Sequence, residues 1–333
     1  MAKPRQLKPW PELLGLLPLL KEEEPRLRQN EIGHLDLENV FEVDSLGLTI
    51  YLAKLAQYVS GGHPELFLSL PINHQAASRL ERLNFQILLS KIGKIRTYED
   101  MFSARPPTAL NVGASDIVVL EEIIHVQAVG LVRRDMEISR IKKKIKEFLN
   151  RDKSEKFAHQ QIMVVLLELV KNTLDHSASD AFLGLQIENN KFSFNYADTG
   201  SGIASSVRKY LNIQAEKMKE NGELIESAKL GRLSEKGAFA DFIQWALKPG
   251  NSTKIGNGIN FGFGLMMITQ ASKNCGIRLA IRDADTYLVL TQAGGKDDSS
   301  IDSVSHAFIR QRGVTTSAPP LLLFHGVLDF IVS

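Results

Sequence analysis

The stretch from Glu155 to Asp175 contains neither Gly nor Pro, and Ile162, Met163, Val164, Val165, Leu166, Leu167, Leu169 and Val170 make it apolar nearly all the way round. Such a segment reads as one buried helix. Glu168 and Asn172 interrupt it at i and i+4, which sets a carboxylate beside an amide on one face; Asp175 and His176 continue that face a turn later. Burying a carboxylate in so apolar a helix is unfavourable unless something compensates it. A metal-bound or water-activating role explains Glu168 better than chance, and the plain alternative is a cap or a pairing with a nearby lysine. Glu-x-x-x-Asn alone is frequent on polar helix faces, so the segments that follow carry the weight.

Phe182 to Ile187 and Phe192 to Tyr196 read as strands around Glu188-Asn189-Asn190-Lys191, a composition suited to a hairpin turn. The second strand runs into Ala197-Asp198-Thr199-Gly200-Ser201-Gly202-Ile203. A carboxylate at a strand end, followed by two glycines, can accept a hydrogen bond from an exocyclic amine while the backbone passes close to a flat ring. An ordinary tight turn has the same composition. Downstream, Ser252 to Phe263 holds Lys254, Gly256, Gly258 and Gly262 and leads into a helical run from Gly264 to Ser272. A glycine-rich loop feeding a helix N-terminus is a natural anion cradle; a mobile surface loop is the alternative.

Taken in order, Glu168-Leu169-Val170-Lys171-Asn172, Asp198-Thr199-Gly200-Ser201-Gly202 and Gly262-Phe263-Gly264-Leu265 resemble the Bergerat-type ATP-binding fold. That is the GHKL family of gyrase, heat-shock chaperone, histidine kinase and mismatch-repair ATPases. The resemblance covers the chain from near Asp135 to the C-terminus. It implies ATP and Mg²⁺ as cofactors, with Glu168 as the general base and Asn172 as the Mg²⁺ ligand. It further implies Asp198 on the adenine amine, Gly200 and Gly202 at the adenine end, and Gly262 and Gly264 opening the backbone to the phosphates. Lys254 would be a phosphate contact in the lid, and Asp175 a second polar pocket residue. His176 fits the kinase-like pattern Glu-Leu-Val-x-Asn-x-x-Asp-His-Ser. Mg²⁺ takes oxygen ligands and commonly few protein groups, and phosphoryl transfer asks mainly for positioning and charge stabilisation. The chain has no Walker-type Gly-x-x-x-x-Gly-Lys-Ser/Thr loop, no protein-kinase signature set and no βαβ dinucleotide fingerprint.

Further on, Ile277 to Ile281 and Tyr287 to Leu290 alternate around Asp283-Ala284-Asp285 as a second hairpin, and Val327 to Val332 reads as a final edge strand after Gly326. Gly294 to Pro320 is polar and turn-rich and reads as an insertion or mobile loop. Ile213 to Lys236 reads as one solvated, Lys- and Glu-rich helix.

In the first half, His34 to Val40 and Glu65 to Leu70 read as strands. Val43 to Leu48 enters an amphipathic helix running to about Val59, and Pro71 to Leu83 supplies another. Alternating segments of this length predict a small α/β layer with parallel strands. Val43-Asp44-Ser45-Leu46-Gly47-Leu48 resembles the helix-entry turn of STAS domains in anti-sigma-factor antagonists. Leu46 stands where those domains carry the phosphorylated serine, and Ser45 can still cap the helix. Trp10 to Lys21 reads as helix, where that family has an N-terminal hairpin.

The expected fold class is therefore α/β (an α+β sandwich): a STAS-like domain over 1–103, a connecting segment over 104–134 and a Bergerat-type domain over 135–333. The 333 residues, 44% hydrophobic and 23% charged, suffice for two globular cores. A net charge of +2 does not favour nucleic acid or an anionic membrane as a bulk partner. The cluster Arg140-Ile141-Lys142-Lys143-Lys144 reads as the solvated side of a helix whose Ile138, Ile141, Ile145 and Phe148 face inward. A single cysteine, Cys275, excludes an intrachain disulfide or a cysteine-built zinc cluster. No apolar run approaches transmembrane length, and the first residues lack a secretion signal's hydrophobic core, so a cytoplasmic protein is expected.

Functionally, the expectation is an ATP-binding regulatory protein in which hydrolysis or phosphotransfer controls the binding of a protein partner, with an anti-sigma-like serine kinase as one variant. A nucleotide-sensing module that never turns ATP over is the alternative, and a homodimer stays open. A histidine autokinase is disfavoured, because His125 falls in a strand-like run and His159 is too close to Glu168 to be a separate phosphoacceptor.

Overall fold

The computed structural model describes residues 34–38, 40, 43, 45–60, 66–83, 85–93, 95–97, 118–124, 130–150, 156–176, 179–188, 191–236, 239–248, 251, 264–283, 286–292, 304–310 and 322–329. These form a mixed α/β structure in two compact units, each drawn from more than one stretch of chain. One comprises 1–124, 181–197 and 329–333; the other comprises 125–180 and 198–328. Trp10 to Lys21, His125, Lys254 and Gly262 lie outside the described residues, as do 104–117 and 125–129 of the expected connecting segment.

In the first unit β1 (His34–Asp36), β2 (Leu66–Ser69) and β3 (Ile95–Thr97) form a parallel sheet in the order β1-β2-β3, with Leu35 opposite Leu68 and Phe67 opposite Arg96. Parallel pairing requires crossovers. They are supplied by α1 (Ser45–Ser60) and by the pair α2 (His74–Arg82) and α3 (Phe85–Ile92). Leu48, Leu52 and Leu55 of α1 and Phe85 of α3 are fully buried, and the Tyr51 and Phe85 rings meet at 6.4 Å. Asn73 starts α2 by accepting from the backbone N–H groups of Gln75 and Ala76 at 2.9 and 3.1 Å, an N-cap of the ordinary kind.

The same unit holds β4 (Val118–Ile124) and β5 (Ala181–Glu188), paired antiparallel with Leu120 opposite Leu185, and, but for its last residue, β6 (Lys191–Asp198) beside β5. Ala181 to Ile187 are buried without alternation, so β5 is covered on both faces, and α1 packs against it.

The second unit is built on α4 (Gly130–Leu149) and α5 (Lys156–His176). On α4, Ile141, Ile145 and Phe148 are buried while Lys142, Lys143 and Lys146 are exposed, the division that the amphipathic spacing predicts. On α5, Ile162, Val165, Leu166, Leu169 and Val170 are at most 1% exposed. Each such side chain contributes about 2 kcal/mol of burial, which makes α5 the axis of the unit.

Chain then passes through α6 (Gly202–Glu220), α7 (Leu224–Lys236) and α8 (Phe239–Leu247). The single solvated helix expected from Ile213 to Lys236 is instead two helices. Gly222 takes a left-handed φ of 81°, and the N–H groups of Gly222 and Glu223 close back on the carbonyls of Lys219 and Met218 at 3.2 and 2.8 Å. That geometry ends a helix. Nor is the pair wholly solvated: Ala204, Val207, Leu211 and Phe242 form a buried cluster with Leu230, Leu233 and Trp245 packed on it.

α9 (Gly264–Cys275) packs along α5 and leads into β7 (Arg278–Asp283), which is paired antiparallel with β8 (Thr286–Gln292). Two expectations fail here. Val304–Arg310, within the presumed Gly294 to Pro320 loop, is a strand, β9, with Phe308 opposite Leu288. The last strand, β10 (Leu322–Asp329), is not an edge strand and begins before Gly326, which lies inside it opposite Leu279. A glycine facing a paired strand does not break the ladder, because its backbone hydrogen-bonds like any other. Among the described residues, no helix is long and apolar enough to cross a membrane.

Candidate functional site

Glu168 and Asn172 lie one helical turn apart on α5, and both reach the start of α9. A Cβ built on Gly264 would stand 3.2 Å from Asn172 Oδ1 and 3.4 Å from Glu168 Oε2. Contacts of that length are tight enough that a side chain here would make the Asn172 amide give by a few tenths of an ångström, so the bare glycine eases the approach of the α9 start to this polar face. The first residues of a helix present unsatisfied N–H groups and the positive end of its dipole. A carboxylate, an amide oxygen and a helix N-terminus thus meet at one place.

The other carboxylate oxygen of Glu168, Oε1, receives the Lys171 ammonium at 2.6 Å. That ion pair supplies the compensation a carboxylate needs on an otherwise apolar helix. The lysine pairing raised as the plain alternative for Glu168 is thereby present, beside the Gly264 contact and not in place of it.

Asp198 ends β6 and is 6% exposed. Its Oδ2 accepts from Thr173 Oγ1 at 2.5 Å and its Oδ1 from the Gly200 N–H at 2.7 Å. The second bond is the ordinary Asx-turn bond of an Asp-x-Gly sequence; the first ties that turn to α5, one residue past Asn172. Thr199 Oγ1 lies 2.8 Å from Ser179 Oγ and 2.9 Å from the Asp180 carbonyl, which fixes the turn to the segment following α5. Gly202 has a φ of 78° and opens α6, a conformation that keeps a side chain out of the turn.

Asp175 is placed differently. Its two carboxylate oxygens receive Arg134 Nε and Nη2 of α4 at 2.6 and 3.0 Å. These hydrogen bonds push the Arg134 pKa above its ordinary value, partial burial opposing them. The bidentate geometry makes the pair a brace between α4 and α5.

Of the residues singled out from sequence, Glu168, Asn172 and Gly264 converge directly. Asp198 and Gly200 join them through Thr173, Gly202 starts the helix beyond, and Asp175 faces Arg134. The side chain of His176 lies outside the described residues, as do Lys254 and Gly262. Sequence reasoning missed Thr173, a hydroxyl in an apolar run, and Arg134, which is far from its partner along the chain. Lys171 had a visible signal, its i,i+3 spacing from Glu168.

Among the described residues, no three His, Cys, Asp or Glu side chains gather as a self-contained metal site. No family model matches the chain, and no curated protein matches it.

Proposed function

We propose that α5, the Asp198 turn and α9 form a Bergerat-type pocket for ATP and Mg²⁺, through which a cytoplasmic regulatory protein controls its binding of a protein partner. The supporting observation is the convergence at Gly264: two oxygens from one face of α5 lie within 3.4 Å of a position that a Cβ would fill. Asp198, tied to the residue next to Asn172, is suitably placed in the chain to accept a hydrogen bond from the adenine amine. The parallel α/β layer of the first unit is compatible with a STAS-like module that meets the partner.

The donor set suits Mg²⁺. Asn172 Oδ1 is a hard neutral oxygen, a ligand type this ion takes in small number alongside nucleotide phosphates. Asn172 would hold the ion, which when bound supplies neutralisation of the triphosphate charge. Glu168 acts as the base: as a water oxygen bonds to the γ-phosphorus and the bond to the ADP oxygen breaks, the proton of the water passes to the carboxylate. A serine hydroxyl of the partner in place of that water gives the kinase variant, with phosphoserine and ADP as products.

Calorimetry with a nonhydrolysable ATP analogue, with and without Mg²⁺, tests the pocket. Saturable heat that weakens without Mg²⁺ is expected; no heat at millimolar nucleotide refutes it.

A second reading, an ATP sensor without turnover, is favoured by the 2.6 Å contact of Lys171 with Glu168, which occupies the base. Phosphate release separates the two. Under the catalytic reading Glu168→Ala abolishes turnover and retains binding, whereas a wild type that binds ATP and neither releases phosphate nor phosphorylates any candidate partner is a sensor.

A further inference from the structure

The Glu168–Lys171 pair is uneven. Glu168 is 14% exposed and Lys171 40% exposed. The carboxylate spends one oxygen on the ammonium and turns the other toward Gly264. An ion pair with one partner this solvated is worth at most about 1 kcal/mol, so a stronger anion can take the cation away. A lysine suits such an exchange: its ammonium has three rotatable donors on a flexible stem, whereas an arginine fork would be committed to one geometry. Arg134 illustrates that commitment in its paired hold on Asp175.

From this we infer that Lys171 is an exchangeable counter-ion for Glu168. Without nucleotide its ammonium neutralises the carboxylate; with a triphosphate bound, the ammonium transfers to the terminal phosphate and frees the carboxylate to accept a proton. The base is thus masked until substrate arrives, which links ATP binding to activation of Glu168. The inference rests on the ATP reading of this site and adds to it a positioning residue and a trigger.

Calorimetry on the full chain with a nonhydrolysable ATP analogue and with ADP tests the exchange in wild type, Lys171→Met, Glu168→Gln and the double variant. Lys171→Met is expected to weaken the triphosphate about tenfold and ADP by less than about twofold, the difference a lost charge-assisted contact to the terminal phosphate produces. Glu168→Gln removes the competing charge and keeps the shape, so it tightens the triphosphate when Lys171 is present and not in the double variant. A purely structural role for Lys171 moves both nucleotides alike. If the methionine variant unfolds, Lys171→Gln, which can still donate to Glu168, carries the same comparison. Absence of heat in wild type refutes the nucleotide site itself. Binding in wild type with an unchanged ATP-to-ADP preference in the Lys171 variants, or a Glu168→Gln gain that persists in the double variant, overturns the exchange and leaves the site standing.

Discussion

Thr173 Oγ1 donates to Asp198 Oδ2 at 2.5 Å, and both side chains are buried. One hydroxyl thereby fastens the turn after β6 to the helix that carries Glu168 and Asn172. The Gly200 N–H holds the other carboxylate oxygen at 2.7 Å, so Asp198 is gripped from the helix and from its own turn.

Thr173→Val keeps the shape and removes the hydroxyl donor. Asp198 then stays buried with one fewer partner, at a cost of about 2 kcal/mol of stability. Urea denaturation should show a lower midpoint at unchanged slope. A loss under about half a kcal/mol would mean that water or another donor replaces Thr173.

Asp198→Asn swaps an acceptor-only group for an amide that can also donate. The expected result is a loss of discrimination between ATP and GTP, read as the ratio of their dissociation constants by competition binding. An unchanged ratio would remove Asp198 from adenine recognition.

Gly264→Ala introduces a Cβ 3.2 Å from Asn172 Oδ1 and 3.4 Å from Glu168 Oε2. Side-chain oxygens can yield by a few tenths of an ångström, and alanine favours the helix, so thermal stability should change by less than about 1 kcal/mol. If the proposed ATP site is right, nucleotide affinity should fall by about tenfold or more, because the displaced groups are the ones assigned to binding. Unaltered affinity would place the nucleotide elsewhere.

Tyr210 packs on Trp245 with ring centroids 5.6 Å apart, and burial raises its pKa. The folded chain holds this proton more tightly than the unfolded chain does. The resulting stability is complete below the usual tyrosine value of about 10 and is lost as pH rises through the higher folded value. Unfolding followed by Trp245 fluorescence, in a Trp10→Phe background, should show stability declining above about pH 10, with a shallower decline in Tyr210→Phe. Tyr58, raised for the same reason, keeps part of the slope in that variant. An identical slope in both proteins would show that Tyr210 does not titrate with unfolding.

Periodicity made the helices of the second unit legible where it was strong. The Glu155 to Asp175 run is α5, Lys156–His176, and the helical run read from Gly264 is α9, Gly264–Cys275. It failed where one composition continued across a break. Ile213 to Lys236 is charged throughout, and only the left-handed Gly222 marks the end of α6. β9 was hidden because Val304-Ser305-His306-Ala307-Phe308-Ile309-Arg310 lacks clean alternation and sits among turn residues. At the site, spacing along α5 set Glu168 beside Asn172. Partners brought together by tertiary packing, such as Arg134 with Asp175 or Thr173 with Asp198, leave no trace in local spacing.

The most direct measurement is a crystal structure of the full chain grown with a nonhydrolysable ATP analogue and Mn²⁺ in place of Mg²⁺. The account predicts an anomalous peak beside Asn172 Oδ1, with the adenine amine on Asp198 and the phosphates at the start of α9. Nucleotide bound away from α5, or a metal peak remote from Asn172, would contradict it.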